Sequence, residues 1–280
     1  MKLSCPAPAK LNLFLHVVGR RADGYHLLQT LFRFIDLNDT LHFALREDGV
    51  VHRTNSIEGV PEERDLCVRA ARRLQAETGC ALGVDITVEK RIPMGGGLGG
   101  GSSDAATTLI ALNRLWSLGL TRTRLMELGL QLGADVPVFV FGENAFAEGV
   151  GEELQVCPLG EAWYVVLFPP VHVPTEQIFT HPELTRDSVS LTMRALSERQ
   201  ISLRNDLQAV VCSLYPEVAR YLAYLGGFGK AMMTGSGACV FAEFASREQA
   251  ESVLRQLPHE MRGVVAQGLA KHPLHDWVSD

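Results

Sequence analysis

Between Pro93 and Ala106 the chain reads Pro-Met-Gly-Gly-Gly-Leu-Gly-Gly-Gly-Ser-Ser-Asp-Ala-Ala, and six of these fourteen residues lack a Cβ. Such a backbone can take positive φ and lie close to a ligand, at an ordering cost of roughly 0.5–1 kcal/mol per glycine relative to alanine. Ser102, Ser103 and Asp104 stand where a helix would begin, because Ala105, Leu109, Leu112 and Trp116 follow at helical spacing. A glycine loop running into a helix start offers unpaired N–H groups and the positive end of a dipole to an anion. Phosphate binding is the chemistry this pattern suits; a ligand-free turn is the plainer alternative.

The kind of phosphate site can be narrowed. Gly95, Gly97 and Gly100 spell G-x-G-x-x-G, the dinucleotide fingerprint. The strand before it, Val84-Asp-Ile-Thr-Val-Glu, alternates apolar and polar residues, unlike a strand buried on both faces. The acidic ribose ligand expected about twenty residues on is missing, with no Asp or Glu between Asp104 and Glu127. A Walker A loop fails because Ser102 follows Gly100-Gly101 where lysine belongs, and no His-Arg-Asp or Asp-Phe-Gly string occurs.

Two further side chains can do chemistry. Along the alternating stretch Ala7 to Val18, Leu11, Leu13 and Leu15 share one face, so Lys10 and Asn12 share the other; a solvent-facing edge lysine reads the same way. In Gly133-Ala-Asp135-Val-Pro137, proline pushes Val136 out of the helical region, which puts Asp135 on an extended corner after a helix end. The negative dipole end disfavours an aspartate there, so a role beyond turn formation is expected.

At 280 residues the chain suits two domains, divided near residue 158 into 1–158 and 159–280. Its 46% hydrophobic and 21% charged residues are the balance of a globular protein. A net charge of −6 argues against nucleic acid or an anionic membrane as partner. The six cysteines are scattered without metal-like spacing and read as small buried hydrophobes. The amino terminus lacks a signal-peptide pattern and no apolar run approaches eighteen residues, so a cytoplasmic location is expected.

The remaining elements must position these groups. Thr40–Leu45 reads as a strand and Asp65–Gly79 as a helix closed by Gly79. Strand 84–92 leads into the glycine loop, and helix 103–118 leaves it. A helix over 121–132 starts at Thr121, and residues 139–148 read as strand. Beyond a strand at 163–168, stretch 171–190 reads as a loop. Helices are expected from Asn205, from Pro216 and from Arg247 after Ser246, with strands 238–244 and 264–266. The fold class is α+β, with a mostly antiparallel sheet in the second half.

Three pieces in order, Pro8-Ala-Lys10-Leu-Asn12-Leu, the glycine stretch 93–106 and Met233-Thr-Gly-Ser-Gly-Ala-Cys239, resemble the three motifs of the GHMP kinases. Gly24-Tyr25-His26, Leu132-Gly-Ala-Asp135-Val-Pro-Val-Phe and Asn205-Asp-Leu narrow the resemblance to members whose acceptor is a cytidine diphosphate-linked methylerythritol, with homoserine or phosphomevalonate as alternative acceptors. The resemblance implies the two-domain GHMP kinase fold, an N-terminal domain like ribosomal protein S5 domain 2 and a ferredoxin-like C-terminal domain. It implies a small-molecule kinase using ATP with Mg2+ to phosphorylate the acceptor's 2-hydroxyl, as a monomer or weak homodimer.

By motif, Lys10 and Asp135 become the catalytic pair. Lys90, Pro93, Met94, Gly95, Gly96, Gly97, Leu98, Gly99, Gly100, Gly101, Ser102 and Ser103 fall to the nucleotide, and Asn12, Tyr25, His26, Thr175 and Phe179 to the substrate; the metal ligands are unassigned. Asp65 departs from the asparagine common at this position near adenine, and an ionised carboxylate cannot donate a hydrogen bond.

Overall fold

The structure is a computed structural model and describes residues 1–22, 24–197 and 203–280. Two long antiparallel strands dominate it, β1 (Lys2–Arg20) and β2 (His26–Arg46). The strand read in sequence over Thr40–Leu45 is the end of a much longer one, since residues 26–46 form a single strand. Their pairing slips at Pro8/Ala9, between Asn12 and Leu15, and between Val17 and Gly19. Such irregularities bend a strand and re-aim its side chains, and Lys10 and Asn12 lie between the first two.

Strands β3 (Val51–Arg53), β4 (Gly83–Glu89), β5 (Ala145–Glu148) and β6 (Glu153–Val156) complete the first sheet, in the order β3-β4-β2-β5-β6 with β1 on β2. Helices α1 (Leu66–Thr78), α2 (Gly100–Leu115), α3 (Arg122–Leu130) and α4 (Val136–Phe141) pack on it through a core that includes Phe34, Phe43, Leu74, Leu109 and Phe139. Asp65 starts α1 by accepting from the N–H groups of Cys67 and Val68, and Gly79 ends it in the left-handed region, as the sequence predicts. Thr121 caps α3 in the same way, through the N–H of Arg124.

Three expectations fail here. Helix α2 begins at Gly100, three residues before the expected start, so Ser103 lies inside the helix rather than at its mouth. Residues 139–141, read as the start of a strand over 139–148, belong to helix α4, and only 145–148 of that reading are strand. A continuous apolar run does not separate the two by periodicity, and Val136–Val140 are buried throughout. Pro137 is tolerated because it occupies the first turn, and Gly142 stops the helix at φ 77°. Asp135 is accordingly not extended but sits at φ −83°, ψ −10°, on the amino end of α4. That end favours a carboxylate, which reverses the dipole argument made from sequence.

The second sheet joins β7 (Trp163–Leu167), β8 (Ala231–Met233), β9 (Val240–Phe244) and β10 (Gly263–Gln267) in the order β10-β7-β9-β8, all antiparallel. Helices α5 (Thr175–Thr180), α6 (Met193–Ser197), α7 (Gln208–Leu214), α8 (Pro216–Gly226) and α9 (Arg247–Arg255) accompany it. A separate apolar cluster, including Leu11, Leu98, Tyr164 and Phe241, ties the first sheet and the glycine loop to the second sheet. No helix among the described residues is long and apolar enough to cross a membrane.

Candidate active site

A cleft of about 1320 Å³ runs between the two sheets, and the glycine stretch forms part of its wall. The loop is held from below by its own carbonyls. Gly96 O accepts from the Cys239 N–H at 3.1 Å and Leu98 O from the Lys10 N–H at 3.0 Å. The Thr234 hydroxyl approaches Gly97 O at 3.4 Å and accepts from the Asn12 N–H at 3.0 Å. These bonds fix the loop from its carbonyl side, and α2 adds the positive end of a sixteen-residue helix, a setting suited to an anion.

Glycine is required at two of these positions on steric grounds. A Cβ on Gly97 (φ 75°) would fall 2.2 Å from Thr234 O, and one on Gly99 (φ 73°) would fall 2.9 Å from Phe139 Cζ and 3.1 Å from Lys10 Cε. The loop thus lies against the 234–239 motif on one side and the Lys10 stem on the other.

Lys10 is 3% exposed, not the solvent-facing edge lysine its strand position allowed. Its ammonium donates to Asn12 Oδ1 at 2.6 Å and stands 3.3 Å from Asp135 Oδ2. The Asn12 amide is oriented in turn, since its Nδ2 donates to Thr30 Oγ1 at 2.9 Å and that hydroxyl donates to Phe14 O at 2.5 Å. Asp135 caps none of the N–H groups of its own helix, which leaves its carboxylate facing the cleft.

Lys90 sits beneath the loop between two carboxylates. It is bonded to Asp39 and, at 2.7 Å, to Asp104 Oδ2. Asp39 also accepts from the N–H groups of Arg91 and Ile92, at 2.5 and 2.8 Å, and so fixes the chain as it enters the loop. Burial opposes the Lys90 charge, but Asp104 and Asp39 outweigh it and hold its pKa above the usual lysine value. For Asp104, burial dominates; with Asp39 beside it, the carboxyl is pushed up to about 7 despite Lys90.

At the far end of the cleft His26 packs on Phe179, with ring centroids 5.1 Å apart. Arg186 Nε donates to His26 Nε2 at 3.1 Å and Arg186 Nη2 to the backbone Phe179 O at 3.0 Å, so one guanidinium ties the His26 ring to the Phe179 main chain. Burial, then the charges of Arg186 and Arg20, lower the His26 pKa. Tyr25 stands 67% exposed at the rim, which rules out core packing as its role. Thr175 Oγ1 pairs with Ser236 Oγ at 2.8 Å.

Two family descriptions match this chain: "GHMP kinases N terminal domain" over residues 65–143 and "GHMP kinases C terminal" over 181–263. Similarity extends over essentially the whole length of curated relatives called 4-diphosphocytidyl-2-C-methyl-D-erythritol kinase. That of Nitrosospira multiformis is 62% identical, covering 99% of this chain and 95% of the relative. That of Thiobacillus denitrificans is 61% identical, covering all of both. The chain belongs to the GHMP kinases.

A crystal structure of a 4-(cytidine 5'-diphospho)-2C-methyl-D-erythritol kinase superposes with TM-score 0.82 at 34% identity, over 95% of this chain and 99% of that one. A homoserine kinase from Cytophaga hutchinsonii, at 15% identity and TM-score 0.71, shares the fold.

Of the residues singled out from sequence, this GHMP kinase brings Lys10, Asn12, Tyr25, His26, Lys90, the run 93–102, Asp135, Thr175 and Phe179 to one cleft. It does not bring Ser103, which is fully buried and whose N–H bonds Gly99 O within the helix. Asp65, beside the same cleft, spends its carboxylate on the α1 cap and on Arg53 Nη1 at 2.6 Å. Sequence reasoning missed Thr30, Asp39 and Arg186. Asp39 carries no local signal, because Asn38-Asp39 reads like a polar turn, and Arg186 lies in the stretch read as loop.

Proposed function

We propose that this chain transfers the γ-phosphoryl group of ATP to the 2-hydroxyl of 4-diphosphocytidyl-2-C-methyl-D-erythritol. The observation that carries the reading is the end-to-end identity of about 60% with relatives of that name. The cleft has a group for each task the reaction sets. In this reading residues 1–158 bind ATP and hold the catalytic pair, while 159–280 close the acceptor's side.

Phosphoryl transfer asks for alignment and charge neutralisation more than for covalent chemistry. The glycine loop with the start of α2 holds the triphosphate, and Lys90 stands by the nucleotide. Tyr25, His26 and Phe179 hold the cytosine, with Asn12 and Thr175 along the acceptor. Fixing both partners in line can contribute roughly 7–11 kcal/mol in well-oriented systems. Asp135 accepts a hydrogen bond from the acceptor hydroxyl and takes its proton as the new P–O bond forms. A carboxylate is far less basic than an alkoxide, so proton transfer comes late and orientation is its main contribution. Lys10, aimed by Asn12, positions Asp135 and offsets charge on the reacting oxygens.

Among the described residues no cluster of three or more His, Cys, Asp or Glu could hold a metal ion. Mg2+ needs no such cluster, being held by one or two protein oxygens together with substrate phosphates. Asp104, whose Oδ1 is buried without a partner, and the Ser102 hydroxyl are the candidate oxygens. When bound, the ion neutralises charge on the phosphates.

A panel of acceptors in a coupled ADP-release assay tests the reading. Turnover should require the cytidylylated alcohol; turnover confined to homoserine, phosphomevalonate or free methylerythritol would reject it.

A further inference from the structure

In the function proposed above, on which this inference rests, the acceptor carries a doubly charged diphosphate between its base and its reacting alcohol. That diphosphate must lie between the His26–Phe179 end of the cleft and Lys10. Of the nearby cations, Lys10 is held by Asn12 and Asp135 and Lys90 by Asp39 and Asp104, while Arg20 spends its Nε–H on Gly24 O at 3.0 Å. His172 is different. It lines the cleft, it is exposed, and its ring forms no hydrogen bond or ion pair with the described residues.

We propose that His172 recognises the acceptor's diphosphate, donating a ring N–H to a phosphate oxygen where that ligand passes the glycine loop. The ring lies against Gly95, the first glycine of the loop; a Cβ there would sit 2.4 Å from His172 Nδ1 and 2.8 Å from Cε1. The imidazole therefore stands at the border between the triphosphate cradle and the rest of the cleft. It does so on a stiff segment. Pro169, Pro170 and Pro174 flank it with fixed φ, and the next residue, Val173, is 2% exposed in the core of the second sheet. One residue past Pro174, the Thr175 hydroxyl is tied to Ser236 at 2.8 Å. A donor held in place before the ligand arrives loses little freedom on binding, and its bond to an anionic oxygen is of the stronger, charge-assisted kind.

The shared chemistry, a phosphate oxygen, could also belong to the donor's tail, so the test separates the two. Cytidine, CDP and ADP are titrated into the full-length protein as wild type, His172→Ala and His172→Gln. The expected result is that His172→Ala lowers the preference for CDP over cytidine about tenfold, the scale of one hydrogen bond to a charged group. Cytidine and ADP affinities stay as they were. Glutamine keeps an N–H donor and restores part of the preference. In turnover, the KM for the acceptor rises while that for ATP does not. An unchanged CDP-to-cytidine ratio overturns the proposal, and so does a loss confined to ADP, which would move the contact to the donor. Failure of the wild type to bind cytidine at all would instead strike the acceptor reading, and the present inference with it.

Discussion

Lys10 and Asp135 meet at 3.3 Å with very different surroundings, the lysine side chain 3% exposed and the carboxylate 38%. The buried cation is the fixed partner and the carboxylate is the one a ligand can reach. Asp135→Asn keeps the shape and removes the base, so kcat should fall by ~10²–10⁴, with the KM for ATP nearly unchanged. Lys10→Ala should do the same. Steady-state kinetics with both substrates checks this; wild-type turnover by either variant would remove the pair from the mechanism.

Asn12 makes the shorter bond to the ammonium, 2.6 Å, and therefore governs where Lys10 points. A hydrogen bond to a charged group contributes ~1.5–3 kcal/mol. Asn12→Ala should lower kcat by at least about tenfold while the protein stays folded, because Thr30 can keep its own bond to Phe14 O. Circular dichroism paired with kinetics separates this from a folding defect. An unimpaired kcat would mean that the strand and Phe32, whose ring centroid lies 5.4 Å from the ammonium, suffice to aim it.

Sequence periodicity was a good guide where one local rule decided the outcome. Alternation in β1 put Lys10 and Asn12 on one face, and Gly79, Thr121 and Ser246 all bound their helices where capping chemistry put them. It failed where local rules were silent or outvoted. Val136–Phe141 is apolar throughout, and only its packing selects helix over strand. Ser102 and Ser103 are good caps, yet α2 starts earlier on Gly99 in the left-handed region. The supports of the site were the least legible. Asp39 binds Lys90 across 51 residues and Arg186 binds His26 across 160, contacts that no spacing rule can register.

Two buried groups should tilt stability against pH in opposite directions. An unfolded aspartate loses its proton near 3.8, whereas Asp104 in the fold keeps it to about 7. The folded state holds the extra proton between those values, so this contribution is lost as pH rises from about 4 to 7. His272 runs the other way. Burial, then the charges of His275 and Arg122, lower its pKa from 6.5 to about 3, so its contribution is lost as pH falls through that window. Asp104→Asn removes only the first slope. The Tm of the variant minus that of wild type should therefore climb between pH 4.5 and 7.5, as thermal melts can follow; a flat difference would mean that Asp104 is charged throughout.

Arg186 has a consequence for which base is accepted. Its Nε–H donates to His26 Nε2, so the neutral ring carries its proton on Nδ1, and the lowered pKa of His26 keeps the ring neutral near pH 7. An Nδ1–H can serve an acceptor such as cytosine N3. Uracil presents an N–H at the same place, and two facing donors leave one unsatisfied at a cost of ~1–3 kcal/mol. A uridine-linked acceptor should thus lose roughly 5- to 150-fold in kcat/KM relative to the cytidine-linked one. Arg186→Met lets the ring choose either tautomer, so the discrimination should shrink to a few-fold, mainly through faster use of the uridine compound. If the variant keeps the full preference, the tautomer of His26 is not what reads the base.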